Sequence, residues 1–252
     1  MSDRVLVQAA SGVFTATLNR PDKRNAIDTA MIDALLAALD TADLDASVRV
    51  VAIRGAGRDF CAGMDLNELL ASADHTLEQN RQAALHFAKI FVRMRQLPKP
   101  IVALVHGRAL AGGCGLATAC DLVLAAESAK FGYPEVQRGF VPAIVMTLLK
   151  RTAGEKVAFD LAATGRILGA SEAAGLGLVS RVYEDSDFED QVSEVLRALA
   201  AASPSALAFT KQQFYQLDGL RFEDGIRLGA DVNAVSRTTP DFRAALQAFL
   251  KK

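Results

Sequence analysis

Short apolar runs alternate with helical patterns over the first two-thirds of the chain. Residues 48–54, 101–105 and 122–125 form runs with few polar side chains, and segments with helical spacing of apolar residues separate them. Strands that are buried on both faces read as continuous apolar runs, and the helices between them provide the crossovers of a parallel sheet. The pattern therefore predicts an α/β fold with parallel strands.

Residues 13–18 alternate weakly between apolar and polar positions, which predicts a further strand, and Asn19-Arg20-Pro21-Asp22 predicts the turn that follows it. Asp28 is the expected N-cap of a helix rich in alanine and leucine that runs to about Leu39. The remaining helical patterns in this part of the chain cover residues 77–96, 143–151 and 155–163.

The strand signals stop near Val182, and the rest of the chain reads as helix. Ser203-Pro204 is a suitable cap and first turn for one of these helices. This change predicts a boundary between residues 183 and 203, and we divide the chain into regions 1–190 and 191–252. The predicted helices of the second region cover residues 187–201, 204–217, 222–236 and 241–251.

Composition excludes several classes of function. No apolar run reaches the ~18 residues of a membrane span, and the N-terminus lacks the layout of a secretion signal, so we expect a cytoplasmic protein. The net charge of −1 gives no bulk attraction to nucleic acid or to anionic membranes. A basic stripe with interleaved aromatic residues is also missing from the sequence. Neither nucleic acid nor a membrane is therefore an expected partner.

The cysteine and histidine positions do not predict a metal site. Cys61, Cys114 and Cys120 are odd in number and lack the spacing of zinc ligands, so reduced, buried thiols are expected. The three histidines are scattered, and the sequence has no Gly-x-Ser-x-Gly motif for a serine nucleophile.

Two glycine-rich loops carry the strongest chemical signal. Residues 107–116 follow an apolar strand and precede a helical pattern, and residues 55–66 follow another strand. Glycine lets a main chain approach a ligand, and the first amides of a helix have no intrahelical acceptor. Two such loops can form an oxyanion hole, whereas one such loop taken alone is more often only a tight strand-to-helix turn.

Five motifs that include these loops resemble the enoyl-CoA hydratase/isomerase family, also called the crotonase family. The resemblance runs from about Val13 to the C-terminus. The motifs, in order, are Asn19-Arg20-Pro21-Asp22-Lys23-Arg24-Asn25-Ala26, Phe60-Cys61-Ala62-Gly63-Met64-Asp65-Leu66, His106-Gly107-Arg108-Ala109-Leu110-Ala111-Gly112-Gly113-Cys114, Phe131-Gly132-Tyr133-Pro134-Glu135 and Gly175-Leu176-Gly177-Leu178-Val179.

The resemblance implies a fold, an assembly and a substrate. The expected fold is a crotonase-like spiral of ββα units in residues 1–190, followed by a C-terminal α-helical trimerisation region in residues 191–252. The expected assembly is a homotrimer or a homohexamer built as a dimer of trimers. The implied substrate is an acyl-CoA thioester, in which CoA is part of the substrate, with no prosthetic group and no metal.

By motif position, the resemblance implies three catalytic groups: the backbone amides of Met64 and Gly112, and the carboxylate of Glu135. A thioester oxygen gathers negative charge when a base removes an α-proton or a nucleophile adds at the β-carbon. Preorganised amide donors stabilise that charge, and a carboxylate can carry the proton.

Gly115 departs from the pattern of many family hydratases, which have a second glutamate at this position. One carboxylate suffices to move a proton between carbons, which favours double-bond isomerisation. Residues 135–143 instead resemble a subgroup of hydratases that act on short or branched enoyl-CoAs. We therefore expect a 2-enoyl-CoA hydratase, with a 3-enoyl-CoA to 2-enoyl-CoA isomerase as the alternative and a non-catalytic acyl-CoA-binding protein as a third reading. If the cleft has room, Gly115→Glu is expected to raise hydration.

The resemblance also implies contacts with CoA. Lys23 or Arg24 is expected to meet phosphates, while Ala62, Asp65 and Leu66 are expected near the adenine and pantetheine groups. At the C-terminus, Phe249 and Lys252 have the spacing with which a neighbouring subunit reaches the nucleotide in relatives.

Overall fold

Nine strands occur in residues 3–251, which are the residues that the computed structural model describes. Their bounds are β1 Val5–Ala10, β2 Val13–Leu18, β3 Val50–Gly55, β4 Ile101–Val105, β5 Arg108–Leu110, β6 Leu122–Ala126, β7 Lys130–Gly132, β8 Ile167–Gly169 and β9 Arg181–Tyr183.

The strands form two sheets. The larger sheet has the order β1-β2-β3-β4-β6-β9, and all its pairs are parallel except β1 with β2. The smaller sheet has the order β5-β7-β8, in which β5 and β7 are parallel. The predicted parallel α/β arrangement is confirmed.

Ten helices accompany these sheets in the same residues. Their bounds are α1 Thr29–Leu44, α2 Leu66–Ala71, α3 Leu77–Gln96, α4 Gly112–Thr118, α5 Ala143–Thr164, α6 Ala170–Gly175, α7 Phe188–Ala201, α8 Pro204–Gln216, α9 Phe222–Ser236 and α10 Pro240–Leu250, and 3₁₀ turns cover Pro21–Lys23, Ser72–Asp74 and Pro134–Arg138.

Helix starts and breaks follow the predicted signals. Asp28 caps α1, because its carboxylate accepts the amide of Met31 at 2.8 Å, but the helix continues to Leu44 beyond the expected end near Leu39. The two helices predicted over 143–151 and 155–163 together make up α5. The break between them lies at Gly154, whose φ of 78° and ψ of 171° are not helical.

The central strands of the larger sheet, β3, β4 and β6, are buried on both faces. Within β3, Val51 and Ile53 belong to the main core with α1 and α3, whereas Val50 and Ala52 face a smaller core formed with α7. Full burial of such side chains stabilises a fold by roughly 1.5–3 kcal/mol each. This two-sided burial explains why the strand reads as one apolar run.

The helices after Ala202 have few buried residues. Lys211 is the buried residue of α8, and α9 and α10 have none among the described residues. The contact of α8 with the rest of the chain is largely polar: Lys211 Nζ lies 2.8 Å from Asp121 Oδ2, and the Tyr215 hydroxyl donates to Asp121 Oδ1 at 2.6 Å. The division at residue 190 falls inside α7, which packs on the sheet, and the two-region division stays a prediction.

The three cysteines are free and buried, as predicted. Burial raises the pKa of Cys61 to about 12 and that of Cys114 to about 11, so both thiols stay protonated at neutral pH. Among residues 3–251, no helix combines the length and apolar character needed to cross a membrane. The same residues contain no cluster of three side chains suited to a metal ion.

Candidate active site

Strand β5 joins the two glycine-rich loops. Cys61 forms a parallel bridge with Ala109, in which its amide donates to the Arg108 carbonyl at 2.9 Å. The amide of Leu110 donates in turn to the Cys61 carbonyl at 2.9 Å. The first loop therefore runs beside the segment that leads into α4.

Glycines allow the two loops to approach at the level of the backbone. A Cβ at Gly63, whose φ is 97°, would lie 2.8 Å from Ala111 Cβ and 3.3 Å from the Gly112 nitrogen. A Cβ at Gly113 would lie only 2.4 Å from the carbonyl oxygen of Cys61. Side chains at either position would force the loops apart.

The amide of Met64 is left free by the bonds on both sides of it. Ile27 donates to the Gly63 carbonyl at 2.8 Å and accepts the Asp65 amide at 2.8 Å, so Ile27 and Met64 form a parallel bridge through bonds to the neighbours of Met64. Backbone groups alternate in direction along an extended chain, which turns the Met64 amide away from Ile27. Within residues 3–251 this amide has no protein acceptor.

The amide of Gly112 is free for a different reason. Gly112 begins α4, and the first amides of a helix have no intrahelical acceptor. The preceding residue, Ala111, has φ 52° and ψ −128°, a region that residues with a Cβ rarely adopt and that stores about 1–3 kcal/mol. A Cβ at Gly112 would lie 3.7 Å from Met64 Cγ and 3.2 Å from Phe87 Cζ, so the two free amides belong to adjoining segments.

Glu135 follows the strand that pairs with β5. Leu110 is in register with Gly132, and Glu135 lies three residues further on, in the Pro134–Arg138 turn. It is 7% exposed, and its buried Oε2 has no hydrogen-bond partner among the described residues. Burial raises the pKa of Glu135, against the opposing effects of its own backbone amide and of Arg138. A buried carboxyl with a raised pKa is suited to acid/base chemistry near neutral pH.

The space beside Gly115 is filled by Val145 of α5. A Cβ at Gly115 would lie 2.1 Å from Val145 Cγ1 and 2.7 Å from Val145 Cβ. Both distances are shorter than real Cβ contacts, so even alanine does not fit without movement of α4 or α5. The expected rise in hydration for Gly115→Glu depended on room in the cleft, and this packing does not meet that condition, because Val145 of α5 occupies the space that the larger side chain needs.

Most of the residues predicted to contact CoA lie at the surface near the first loop. Lys23 and Arg24 are exposed at the Pro21–Lys23 turn, and the Ala62 amide donates to the Arg24 carbonyl at 3.0 Å. Leu66 is exposed at the start of α2. Their predicted roles stay predictions.

The carboxylate of Asp65 has partners within the protein instead. It is buried, accepts a hydrogen bond from Arg20 Nη2 at 2.8 Å and caps α2 through the Asn67 amide at 2.9 Å. Because both carboxylate oxygens of Asp65 have partners in the protein, this geometry disfavours a contact of its side chain with CoA.

The structure describes one of the two C-terminal residues that are predicted to reach a neighbouring subunit. Phe249 is exposed on α10. Lys252 lies outside the described residues. Sequence reasoning had also passed over three residues at the site: Arg20, although it lies in a quoted motif, and Val145 and Phe87, which carry no local signal.

Comparisons with known proteins identify the family of the chain. The family model described as "Enoyl-CoA hydratase/isomerase" matches residues 8–252. A protein named "Putative enoyl-CoA hydratase" from Thermus thermophilus is 41% identical over 98% of this chain and 98% of its own length. The 1,2-epoxyphenylacetyl-CoA isomerase of Escherichia coli is 32% identical over 100% of this chain and 97% of its own.

A solved structure supports the same assignment. The crystal structure of an enoyl-CoA hydratase from Mycobacterium smegmatis superposes with a TM-score of 0.94 at 32% identity, covering 99% of this chain and 97% of that one. The chain belongs to the enoyl-CoA hydratase/isomerase family. The predicted family and the predicted crotonase-like α/β fold are confirmed.

Proposed function

We propose that the protein is an enoyl-CoA hydratase that acts on a short or branched 2-enoyl-CoA, with Glu135 as its acid/base. One observation carries the proposal: the buried carboxylate with a free Oε2 follows β7, which pairs with β5, and β5 connects the two loops that carry unpaired backbone amides. That combination suits a thioester whose oxygen gains charge while a proton moves at the neighbouring carbon.

The reaction assigns a role to each group. A water oxygen bonds to C3 of the substrate while the C2=C3 π pair moves toward the thioester carbonyl, whose oxygen becomes an enolate. The amides of Met64 and Gly112 donate to that oxygen; removal of one such donor in an enzyme lowers the rate by about 10²–10³. Glu135 accepts the proton of the attacking water and returns a proton to C2, so the carboxylate ends in its starting state.

The CoA part of the substrate is proposed to lie along the first loop. Lys23 or Arg24 meets the phosphates, and Ala62 and Leu66 border the adenine and pantetheine groups. The support is positional, because the bond between Ala62 and Arg24 connects the exposed basic turn to the loop that carries Met64. Asp65 contributes to this region through its backbone and its cap of α2. No prosthetic group enters the proposed reaction.

The proposed assembly is a homotrimer or a homohexamer, in which Phe249 and Lys252 reach a neighbour's nucleotide site. Its support is the apolar surface of the C-terminal helices, since extended apolar patches mark interfaces. The exposed large apolar residues on or between α8 and α10 are Phe214, Leu217, Leu220, Phe222, Ile226, Val235, Phe242, Leu246, Phe249 and Leu250.

Isomerisation is the second candidate, and the wall formed by Val145 favours it. With Gly115 packed against Val145, that side of the site offers an apolar surface and no second acid to hold water. In a 3-enoyl-CoA, Glu135 would remove a proton from C2 and return it to C4 as the double bond moves from C3=C4 to C2=C3.

The proposal is tested by following the absorbance of the conjugated thioester. A hydratase consumes the band of a 2-enoyl-CoA, whereas an isomerase creates the band from a 3-enoyl-CoA. Glu135→Gln is expected to lower the observed activity by about 10²-fold or more, because general acid/base catalysis contributes that much. Glu155→Gln, at an exposed position on α5, is the matched control and should keep wild-type activity.

The pH dependence adds a second readout. Because burial raises the pKa of Glu135, the rate of a reaction that needs its ionised form should fall at a higher pH than for an ordinary glutamate as the solution is acidified. Full activity of Glu135→Gln would contradict the catalytic assignment. If the wild-type protein bound an acyl-CoA but converted neither substrate, the third reading, a non-catalytic acyl-CoA-binding protein, would apply instead.

A further inference from the structure

The guanidinium of Arg20 connects two parts of the chain from a buried position. Nη2 donates to Asp65 Oδ2 at 2.8 Å, and Nη1 lies 3.3 Å from Asp28 Oδ2 while donating to the Ala26 carbonyl at 2.7 Å. The side chains of Arg20, Asp28 and Asp65 are each about nine-tenths buried. One planar cation thus spans two carboxylates, which a guanidinium can do and an ammonium cannot do with the same geometry.

Both carboxylates are helix caps. Asp28 Oδ1 accepts the Met31 amide at 2.8 Å at the start of α1, and Asp65 Oδ1 accepts the Asn67 amide at 2.9 Å at the start of α2. The two aspartates therefore have similar surroundings: each is buried, each caps a helix and each is paired with Arg20, and Asp28 has Arg4 Nη2 at 2.9 Å as a further partner. They differ in what lies next to them along the chain.

Met64 lies directly before Asp65. The Asp65 amide donates to Ile27, while the Asp65 carboxylate is held by Arg20 and the Asn67 amide. The residue after the free amide is thus fixed at both its backbone and its side chain. A buried ion pair is weak evidence for stability in itself, because the desolvation of its charges offsets their attraction, whereas it can specify a geometry.

We propose that Arg20, acting through Asp65, is a positioning residue for the amide of Met64. This inference rests on the proposed role of that amide at the thioester oxygen. Asp65 then serves the reaction by holding the loop and not by touching CoA. Asp28 serves the start of α1 and leaves the Met64 amide in place.

The matched pair Asp65→Asn and Asp28→Asn separates positioning from stability. Asparagine remains a good N-cap, so both helices keep a capping side chain, and both variants weaken one link to Arg20. Asp65→Asn is expected to lower kcat by about tenfold with KM changed less than about twofold, since a misplaced donor is missed mainly in the transition state. Asp28→Asn should leave kcat within about twofold of wild type.

Arg20→Lys provides a second variant that does not depend on how Asp65→Asn folds. A lysine ammonium can meet one of the two carboxylates but cannot span both. It is expected to reproduce the kcat defect of Asp65→Asn. Equal losses of kcat in Asp65→Asn and Asp28→Asn, or a wild-type kcat in folded Arg20→Lys, would overturn the proposal.

A spectroscopic readout reports the amide itself. In butyryl-CoA labelled with ¹³C at the thioester carbonyl, hydrogen bonds to the oxygen lower the carbonyl stretching frequency of the bound ligand. Wild type and Asp28→Asn should show the lowered band, and Asp65→Asn should shift it back toward free butyryl-CoA. A band lowered equally in wild type and Asp65→Asn would refute the positioning role alone. A wild-type band at the free frequency would refute the assignment of Met64 and Gly112.

Discussion

The two loops that present free amides are held in place by different physical forces. The segment around Met64 is fixed largely by charge: Arg20 pairs with the capping carboxylate of Asp65, and the backbone bonds of Ile27 flank Met64. The segment around Gly112 is fixed by volume and backbone conformation, through Ala111 in a strained region and through glycines that meet Phe87 and Val145.

This difference determines how each loop should fail. Electrostatic support depends on ionised side chains, so acidification should weaken the support of the Met64 segment. Close packing tolerates little added volume whatever the pH, so a single methyl group should weaken the Gly112 side. Variants of one class can therefore be used as controls for the other.

The largest expected effect is the loss of stability on adding a methyl group at Gly115. Gly115→Ala places a Cβ 2.1 Å from Val145 Cγ1, and overpacking of this kind lowers the free energy of unfolding by about 3 kcal/mol. Gly175→Ala at the end of α6 is the matched control, because a Cβ there meets nothing within 4 Å. The control should gain about 0.5 kcal/mol through a less flexible unfolded chain. Denaturant titration of both variants gives the comparison, and a neutral Gly115→Ala would contradict the packing described for α4 and α5.

A smaller effect, of about 2 kcal/mol, is expected when the charge of Asp65 is removed at neutral pH. Burial opposes ionisation of Asp65, but the hydrogen bonds from Arg20 and the α2 amides outweigh it and lower the pKa of the carboxyl. A lowered folded-state pKa stabilises the fold above the unfolded value of 3.8, and this contribution is lost as pH falls through the folded value.

The difference in unfolding free energy between wild type and Asp65→Asn should therefore stay constant from about pH 7 to about pH 5 and shrink on further acidification to about pH 3, below the unfolded value of 3.8. The difference between wild type and Gly115→Ala should stay constant over the same range, since no titrating group is involved in that contact. If the difference for Asp65→Asn did not change with pH, the electrostatic support of the Met64 segment would be contradicted.

The smallest expected effect is a gain of about 1 kcal/mol on replacing Ala111 with glycine. Relief of the strain at φ 52° contributes about 1–3 kcal/mol, and the greater freedom of glycine in the unfolded chain opposes it by roughly 0.5–1 kcal/mol. Ala119→Gly, at the other end of α4 with an ordinary φ of −77°, should lose stability instead. Thermal unfolding of the pair measures both signs, and a destabilised Ala111→Gly would show that Ala111 stores no strain.

Much of the fold is predictable from the sequence where a pattern extends over several turns or a buried strand. Helix α3 and strand β4 have the bounds that their patterns predict. Strand β1 was missed, because it lies at a sheet edge with mostly exposed residues and so lacks an apolar pattern. Strands β5, β7 and β8 have three residues each, which is too short for any periodicity to appear.

The candidate site divides in the same way. The glycine-rich loops and Glu135 stand out in the sequence because motif and context mark them. The contact of Gly115 with Val145 joins residues on two different helices, and the bonds of Asp65 to Arg20 span 45 residues of sequence. Such partners are fixed by tertiary packing, which explains why Asp65 was interpreted as a ligand contact.

Strand β5 has a consequence for how the molecule can diverge. One loop is bridged to it, the other continues from it, and Glu135 follows its parallel neighbour within three residues. A change that shifts this short strand would displace the three proposed reacting groups together, whereas a change on a helix that does not touch the strand would leave their relative positions intact. Sequence variation in this chain should therefore be tolerated less at β5 than on the outer helices.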